Sequence, residues 1–162
     1  MNDAHLHLFL NHFPFIGLVI GTLILLAGIL SKSPASRKAG LLVILCAAIL
    51  SIPAFNSGEG AEEIVEHLPG KTDQDHYLIH EHEEAAETFI VFAWSLIALS
   101  AIAFFIEWKN KRITRYVTLL TLLLALAGIY FAANTAKTGG EISHPEIRKE
   151  FKAGRYEGAK RD

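Results

Sequence analysis

The residues of this chain that could do chemistry are its eight histidines, which are accompanied by many glutamates. The histidines are His5, His7, His12, His67, His76, His80, His82 and His144. Each lies outside the apolar runs of the chain or at one end of a run. Imidazole and carboxylate groups ligate metals and haem iron, and they carry protons. The pattern therefore predicts a metal, haem or proton site at one end of whatever structure the apolar runs form.

Four apolar runs must position these histidines. Hydrophobic residues make up 51% of the chain, and the mean hydropathy is +0.32. Each run is about as long as a helix needs to cross roughly 30 Å of hydrocarbon. We predict membrane spans at about residues 7–30, 39–56, 85–107 and 113–134. The fold class is accordingly all-α, an integral membrane four-helix bundle in a lipid bilayer, and the net charge of −2 gives no indication of nucleic-acid binding.

The loops differ in charge, which predicts how the chain is oriented. The first short loop carries Lys32, Arg37 and Lys38, the second is also basic, and the long loop from Asn56 to Glu84 is acidic. The positive-inside rule then places the short loops in the cytoplasm of a bacterium. Both termini and all the histidines lie on the periplasmic side of the inner membrane. Residues 1–145 form the transmembrane domain, and residues 146–162 form a charged tail.

Two helical hairpins are the simplest architecture for the four spans. Ala54-Phe55-Asn56-Ser57 at the end of the second span resembles Ala132-Ala133-Asn134-Thr135 at the end of the fourth. The similarity predicts parallel repeats related by an axis along the membrane normal, with chance as the alternative. Thr72-Asp73-Gln74-Asp75 is a capping-box pattern, so the third helix should extend beyond the membrane. Gly139-Gly140 permits either a close approach of the backbone to a bound group or a sharp turn, and the turn would fold Glu141 and His144 back over the outer end.

A helical wheel reduces the eight histidines to a smaller set of candidates. His82 lies on the apolar side of the third helix, and His12 lies about one turn inside the first span. A polar side chain on a packed membrane helix needs a partner or a function. His12 and His82 are therefore the predicted cofactor-binding pair, with His7 and His144 as further candidates. The alternative interpretation of His82 is a core histidine that is hydrogen-bonded to a carbonyl group or a water molecule.

Three motifs resemble a bacterial four-span membrane family that is catalogued as a domain of unknown function, number twenty-two thirty-one. They are Leu6-His7-Leu8-Phe9-Leu10-Asn11-His12-Phe13-Pro14, His82-Glu83-Glu84-Ala85-Ala86, and Thr138-Gly139-Gly140-Glu141-Ile142 with His144. The resemblance covers about residues 5–147. This chain departs from the family at Leu8, where relatives tend to have proline, and at Lys137, where they often have histidine. The family's association with Rieske and cytochrome domains implies a redox setting.

Three functional hypotheses remain open at this stage. The first is b-type haem for electron transfer at the outer face, with a periplasmic redox protein as partner. The second is a non-haem Zn, Fe or Cu site, for which the candidate ligands are His12, His82, Glu59, Glu63, His67, Glu141 and His144. The third is a scaffold subunit without a cofactor, and a second copy of the chain is a further possible partner. The sequence shows no Ser-His-Asp or Cys-His constellation, so a hydrolase is not favoured.

Overall fold

The computed structural model describes residues 2–67, 69, 72–109 and 112–148. Within these residues the chain forms five α-helices and a short 3₁₀ helix, and it contains no strand. The elements are α1 (Asp3–Leu10), α2 (His12–Leu30), α3 (Pro34–Glu66), α4 (Asp73–Trp108), α5 (Thr114–Ser143) and the 3₁₀ helix Pro145–Ile147. The predicted all-α four-helix membrane bundle is confirmed, with α1 and α2 together forming the first of its four long helices. Residues 149–162 of the predicted tail lie outside the described residues.

Three of the helices continue well past the predicted spans at the end of the bundle that carries the histidines, which is termed the outer end. The capping box at Thr72 and Asp75 is present, and α4 begins at Asp73 as the sequence predicts. The second span, predicted at residues 39–56, is part of a longer helix, because α3 continues through Pro53 and reaches Glu66. The turn predicted at Gly139-Gly140 is wrong, because both glycines are helical and α5 ends only at Ser143. Gly139 instead packs closely against the ring of His82.

The bundle buries only a minor part of its apolar surface. In the most apolar stretch of each long helix, between 28% and 39% of the residues are buried inside the protein. Large apolar side chains face outward along the helices, as Leu23, Val91 and Leu123 do, each more than 60% exposed. Water would make such a surface unfavourable, since burying apolar area is worth about 25 cal/mol per Å². The exposed apolar faces imply a lipid environment.

The helices form a square bundle in which sequence neighbours are also spatial neighbours. α2 packs against α3 and α5, and α4 packs against the same two helices. α2 and α4 therefore occupy one diagonal of the bundle, and α3 and α5 occupy the other. Small residues allow α2 and α3 to approach closely, because a Cβ added at Gly40 would lie 2.5 Å from the backbone nitrogen of Leu25. Close approach through small residues is the usual way in which membrane helices associate.

The two hairpins, α2–α3 and α4–α5, are structural repeats. Buried residues recur at the same spacing in α2 and α4: Pro14, Leu18, Gly21, Leu25 and Gly28 in the first, and Phe89, Ala93, Leu96, Ser100 and Ala103 in the second. Buried residues also recur at the same spacing in α3 and α5. In α3 they are Gly40, Leu41, Ile44, Ala47, Ser51 and Ser57, and in α5 they are Thr121, Leu122, Ala125, Gly128, Ala132 and Thr138. Corresponding positions of the two halves therefore face the same core.

Candidate functional site

His7 and His82 meet in the interior of the bundle, at its outer end. Their ring centroids are 6.2 Å apart, and the ring planes are inclined by 86°. His7 lies on α1, which leads into α2, so the two rings approach each other across the diagonal of the bundle. Both rings are partly buried, whereas the other six histidines are exposed: His5, His12, His67, His76, His80 and His144. His7 and His82 are therefore the only two of the eight histidines that the bundle brings together inside it.

The His7 ring is held by the outer end of α3. Its Nδ1 donates to the carbonyl oxygen of Ala54 at 2.9 Å. The hydroxyl of Ser57 donates to the same carbonyl oxygen at 3.1 Å. Gly58 leaves room beside the ring, since a Cβ added there would lie 3.6 Å from the Cε1 and Nδ1 atoms of His7. The carbonyl group of Ala54, which also accepts from Ser57, and the small residue Gly58 thus lie on one helical turn beside His7.

The His82 ring is held in a similar way by the outer end of α5. Its Nδ1 donates to the carbonyl oxygen of Thr135 at 3.1 Å and lies 3.0 Å from the hydroxyl oxygen of Thr138. A Cβ added at Gly139 would lie only 3.0 Å from Cε1 of His82. The Thr135 hydroxyl also donates to the carbonyl oxygen of Ala85 at 3.0 Å, which ties α5 to α4 beside the ring. His82 is therefore bonded more extensively than His7.

These two enclosures occupy equivalent positions of the structural repeat. Ala54, Ser57 and Gly58 have the same spacing as Thr135, Thr138 and Gly139. The repeat predicted from sequence had the wrong register, because it matched Ser57 with Thr135 instead of Thr138. The hydroxyl-glycine pairs Ser57-Gly58 and Thr138-Gly139 are the signal that would have given the correct register.

The hydrogen bonds determine which ring nitrogen is available for chemistry. A carbonyl oxygen only accepts, so the Nδ1 atom of each histidine carries the proton when the imidazole is neutral. The Nε2 atom of each ring then keeps its lone pair. Histidines that bind metals or haem commonly donate one N–H to a carbonyl group in this way and ligate through the other nitrogen. His7 and His82 thus offer two imidazole ligands across the bundle.

His12, the predicted partner of His82, does not belong to this pair. The structure places it on the exposed surface, where its Nδ1 is hydrogen-bonded to the side chain of the adjacent Asn11. The buried face of the first helix passes through Pro14 and Leu18. At 3.6 residues per turn this face includes His7, seven residues before Pro14, and excludes His12, two residues before it. The structure therefore does not bring His12 and His82 together, and His7 lies next to His82 instead.

The remaining predicted metal ligands are scattered over the outer surface. His144 is exposed and lies 3.0 Å from Glu146, while Glu141 pairs with Lys137 at 3.7 Å. His67, which directly follows α3, donates to the carbonyl oxygen of Glu63 in that helix. The side chains of His67, Glu63 and Glu59 are all exposed. Within the described part of the chain, no three His, Cys, Asp or Glu side chains are close enough together to hold a metal ion. The predicted seven-residue ligand set is not assembled.

The outer end is acidic around the histidine pair. His76 lies 3.3 Å from Glu66, and His80 lies 3.3 Å from Glu83, all on exposed or half-exposed surface. Partial burial first, and then the neighbouring carboxylates of Glu83 and Glu66, raise the pKa of Glu62. These charges belong to the solvated extensions of α3 and α4. An open pocket of about 330 Å³ lies beside them, between α4 and α5, and includes Thr138 and Glu141 in its wall.

The inner end of the bundle holds a different polar contact. Nε and Nη2 of Arg37 donate to Oε1 of Glu107 at 3.0 and 2.6 Å, which joins α3 of the first hairpin to α4 of the second. The Glu107 side chain is only 3% exposed, and its Oε2 has no hydrogen-bond partner among the described residues. The buried hydroxyl of Thr118 likewise has no partner there. This end contains no histidine in the described residues.

Comparison with known proteins identifies a family. A family model described as "Predicted membrane protein (DUF2231)" matches residues 4–145, which is most of the chain and includes both histidines and their enclosures. No curated protein and no solved structure matches. The family match agrees with the membrane architecture and with the resemblance noted in the sequence.

Proposed function

The chain belongs to the DUF2231 family of predicted membrane proteins, and we propose that it binds b-type haem through His7 and His82 and transfers electrons at the outer membrane face. The observation that carries the proposal is the His7–His82 pair itself, with its rings 6.2 Å apart inside a membrane bundle. Ionisable side chains inside membrane bundles are usually functional. The haem would supply reversible one-electron transfer, and the protein would supply its ligands and surroundings.

The spacing of the rings supports two ligands on one metal. The ring centroids of His7 and His82 are 6.2 Å apart, so the two imidazoles are close enough to hold one metal ion together. The Nδ1 bonds to the carbonyl oxygens of Ala54 and Thr135 leave both Nε2 atoms free for ligation. His7 and His82 would therefore hold the haem iron.

The number of available ligands favours haem over a bare ion. Zinc sites take three or four protein ligands, whereas haem iron needs at most two because the porphyrin supplies the other four. No third His, Cys, Asp or Glu of the described chain joins the histidine pair. A Zn, Fe or Cu ion on His7 and His82 alone would be bound weakly. A bis-histidine haem needs two histidines and no third protein ligand.

Two glycines support the same proposal. Gly58 lies beside the His7 ring and Gly139 lies beside the His82 ring, on the two helices that flank the pair. Larger side chains at these positions would occupy the space next to the imidazoles. Gly58 and Gly139 therefore let the helices that flank the pair approach both imidazole rings closely.

The position of the pair suggests a partner at the outer face. The histidines lie at the end of the bundle from which α3, α4 and α5 project, and the basic short loops lie at the other end. The positive-inside rule places the histidine end in the periplasm of a bacterium, with the protein in the inner membrane. A water-soluble, one-electron redox protein of the periplasm would then be the electron donor or acceptor.

The proposal is tested on the purified chain by absorption spectroscopy and metal analysis of the same sample, before and after addition of hemin. We expect one haem per chain, a Soret band that shifts on reduction with dithionite, and the sharp low-spin bands of two nitrogen ligands. A colourless preparation that takes up no hemin would contradict the proposal. Zinc or copper, or iron without porphyrin absorbance, would favour the non-haem alternative, and the absence of any cofactor would favour a scaffold role.

A further inference from the structure

The two histidine enclosures differ in one contact, which involves Thr138. In the first enclosure, the Ser57 hydroxyl donates to the carbonyl oxygen of Ala54 and makes no hydrogen bond with His7. In the second, the equivalent Thr138 hydroxyl lies 3.0 Å from Nδ1 of His82 and also 3.0 Å from the carbonyl oxygen of Thr135. Only one of the two histidines is therefore bonded to a side chain of its enclosure.

The direction of the Thr138 hydrogen bond follows from counting protons. The hydroxyl has a single proton, and the carbonyl oxygens of Thr135 and Asn134, at 3.0 and 3.3 Å, can only accept it. With that proton donated to the backbone, the Thr138 oxygen accepts from Nδ1–H of His82. The Nδ1–H group is then shared between two acceptors, Thr135 and Thr138. Both acceptors require the proton on Nδ1 and leave the lone pair on Nε2.

We propose that Thr138 is a positioning residue that holds the His82 ring in its Nδ1–H tautomer and so leaves the lone pair of Nε2 free for a ligand. The inference rests on the proposed function for the identity of the ligand, but not for the tautomer. Thr138 is suited to this role because it is only 8% exposed, so little water competes for its hydroxyl. Thr138 also forms part of the wall of the open pocket between α4 and α5.

The test uses the full chain with three variants. Thr138→Val removes the hydroxyl and keeps the shape of the side chain, Thr138→Ser keeps the hydroxyl, and Ser57→Ala is the matched control at the equivalent position. Nitrogen-15 NMR of histidine-labelled protein reports the tautomer, with the His82 signal assigned by its loss in His82→Gln. Hemin titration reports affinity, and circular dichroism checks that each variant is folded.

We expect the wild-type His82 to be in the Nδ1–H form. Thr138→Val keeps the carbonyl oxygen of Thr135 as an acceptor but loses the second acceptor, so its His82 should show a smaller excess of the Nδ1–H form, and Thr138→Ser should restore the wild-type signal. Hemin affinity should fall about tenfold or more in Thr138→Val, the range found for groups that orient metal-bound histidines. Ser57→Ala should leave the His82 signal unchanged. An unchanged His82 tautomer in folded Thr138→Val overturns the inference, and so does a wild-type hemin affinity in that variant. If the wild-type chain takes up no hemin, the proposed function fails, and the tautomer alone decides the role of Thr138.

Discussion

The two ends of the bundle differ in how well they preserve its internal repeat. At the outer end both hairpins present a histidine, and equivalent turns of α3 and α5 enclose the two rings. At the inner end the hairpins are joined by Arg37 and Glu107, and this pair has no counterpart in the repeat. The position equivalent to Arg37 is Thr118, and the position equivalent to Glu107 is Lys32, just beyond α2.

The two ends of the bundle have different tasks, ligand binding at the outer end and the joining of the hairpins at the inner end. A site that needs the same ligand from both halves is built most simply where the halves are alike, as at His7 and His82. A contact that joins the halves in one arrangement needs complementary groups, so it lies where they are unlike. Changes at the inner end should therefore alter stability without altering ligand binding, whereas changes at the outer end should alter ligand binding first.

The largest effect on stability is expected at the inner end. Arg37→Met leaves the Glu107 carboxylate, which is only 3% exposed, without its partner. Breaking a buried ion pair from one side costs about 3–5 kcal/mol, whereas replacing both members with apolar side chains is often nearly neutral. We expect thermal unfolding in detergent to occur at a clearly lower temperature in Arg37→Met and to recover largely in the double variant Arg37→Met/Glu107→Met.

Hemin binding by these inner-end variants tests whether the two ends of the bundle act independently. At temperatures where the variants are folded, their hemin affinity should equal that of the wild type. Weaker hemin binding by folded Arg37→Met would show that the two ends are not independent. A wild-type unfolding temperature for Arg37→Met would show that the ion pair does not join the hairpins.

A smaller and more local effect is expected from the two equivalent glycines. A Cβ at Gly139 would lie 3.0 Å from the His82 ring, which is too close without movement, whereas a Cβ at Gly58 would make an ordinary contact with His7 at 3.6 Å. Gly139→Ala should therefore displace His82 and weaken hemin binding several-fold, and Gly58→Ala should bind nearly as the wild type does. Hemin titration of both variants measures the difference. Equal affinities would contradict the unequal packing of the two enclosures.

The smallest effect is expected at the outer surface, where Arg148, which follows α5, is hydrogen-bonded to Asp75 near the beginning of α4. Its Nη2 donates to Asp75 at 2.8 Å. Burial acts to raise the pKa of Asp75, but hydrogen bonds from Thr72 and Arg148 and the charge of Arg148 outweigh it and lower the pKa to about 2. Because the folded-state pKa is lowered, the stabilisation is complete above about pH 4 and is lost as the pH falls toward 2.

Asp75→Asn tests this contact. We expect a loss of about 1 kcal/mol of stability at neutral pH, which disappears in acid because the wild-type carboxylate is then protonated as well. Thermal unfolding measured from pH 7 to pH 2 follows this loss. A difference between wild type and variant that stays constant over this range would assign the stabilisation to something other than the charge of Asp75.

Most of the fold could be predicted from the sequence, because apolar runs of membrane length allow few alternatives. The capping box at Thr72 also gave the beginning of α4 correctly. The outer end of α3 could not be predicted in the same way, since Pro53, Gly58 and Gly60 ordinarily interrupt helices. Here Gly60 allows α1 to pack closely, because a Cβ added there would collide with the Asp3 carboxylate. Tertiary packing outweighs local propensity at these positions.

The candidate site was predicted only in part. His82 was correctly placed on the packed face of α4, because the apolar residues around it define that face. His12 was preferred to His7 because it lies deeper in the apolar run, but depth does not determine which way a side chain points. The helical register counted back from Pro14 and Leu18 selects His7. The carbonyl oxygens of Ala54 and Thr135 could not be foreseen, because backbone acceptors leave no sign in a sequence.

Hemin titration of His7→Ala, with His12→Ala as its matched control, tests the central claim most directly. Both variants remove one histidine from the first helix, and they differ in whether the lost side chain faces the interior or the surface. We predict that His7→Ala loses the low-spin spectrum of two nitrogen ligands and most of its hemin affinity, while His12→Ala keeps both. A His7→Ala chain with the wild-type spectrum, or a His12→Ala chain that loses it, would contradict the assignment of His7 and His82 as the ligand pair.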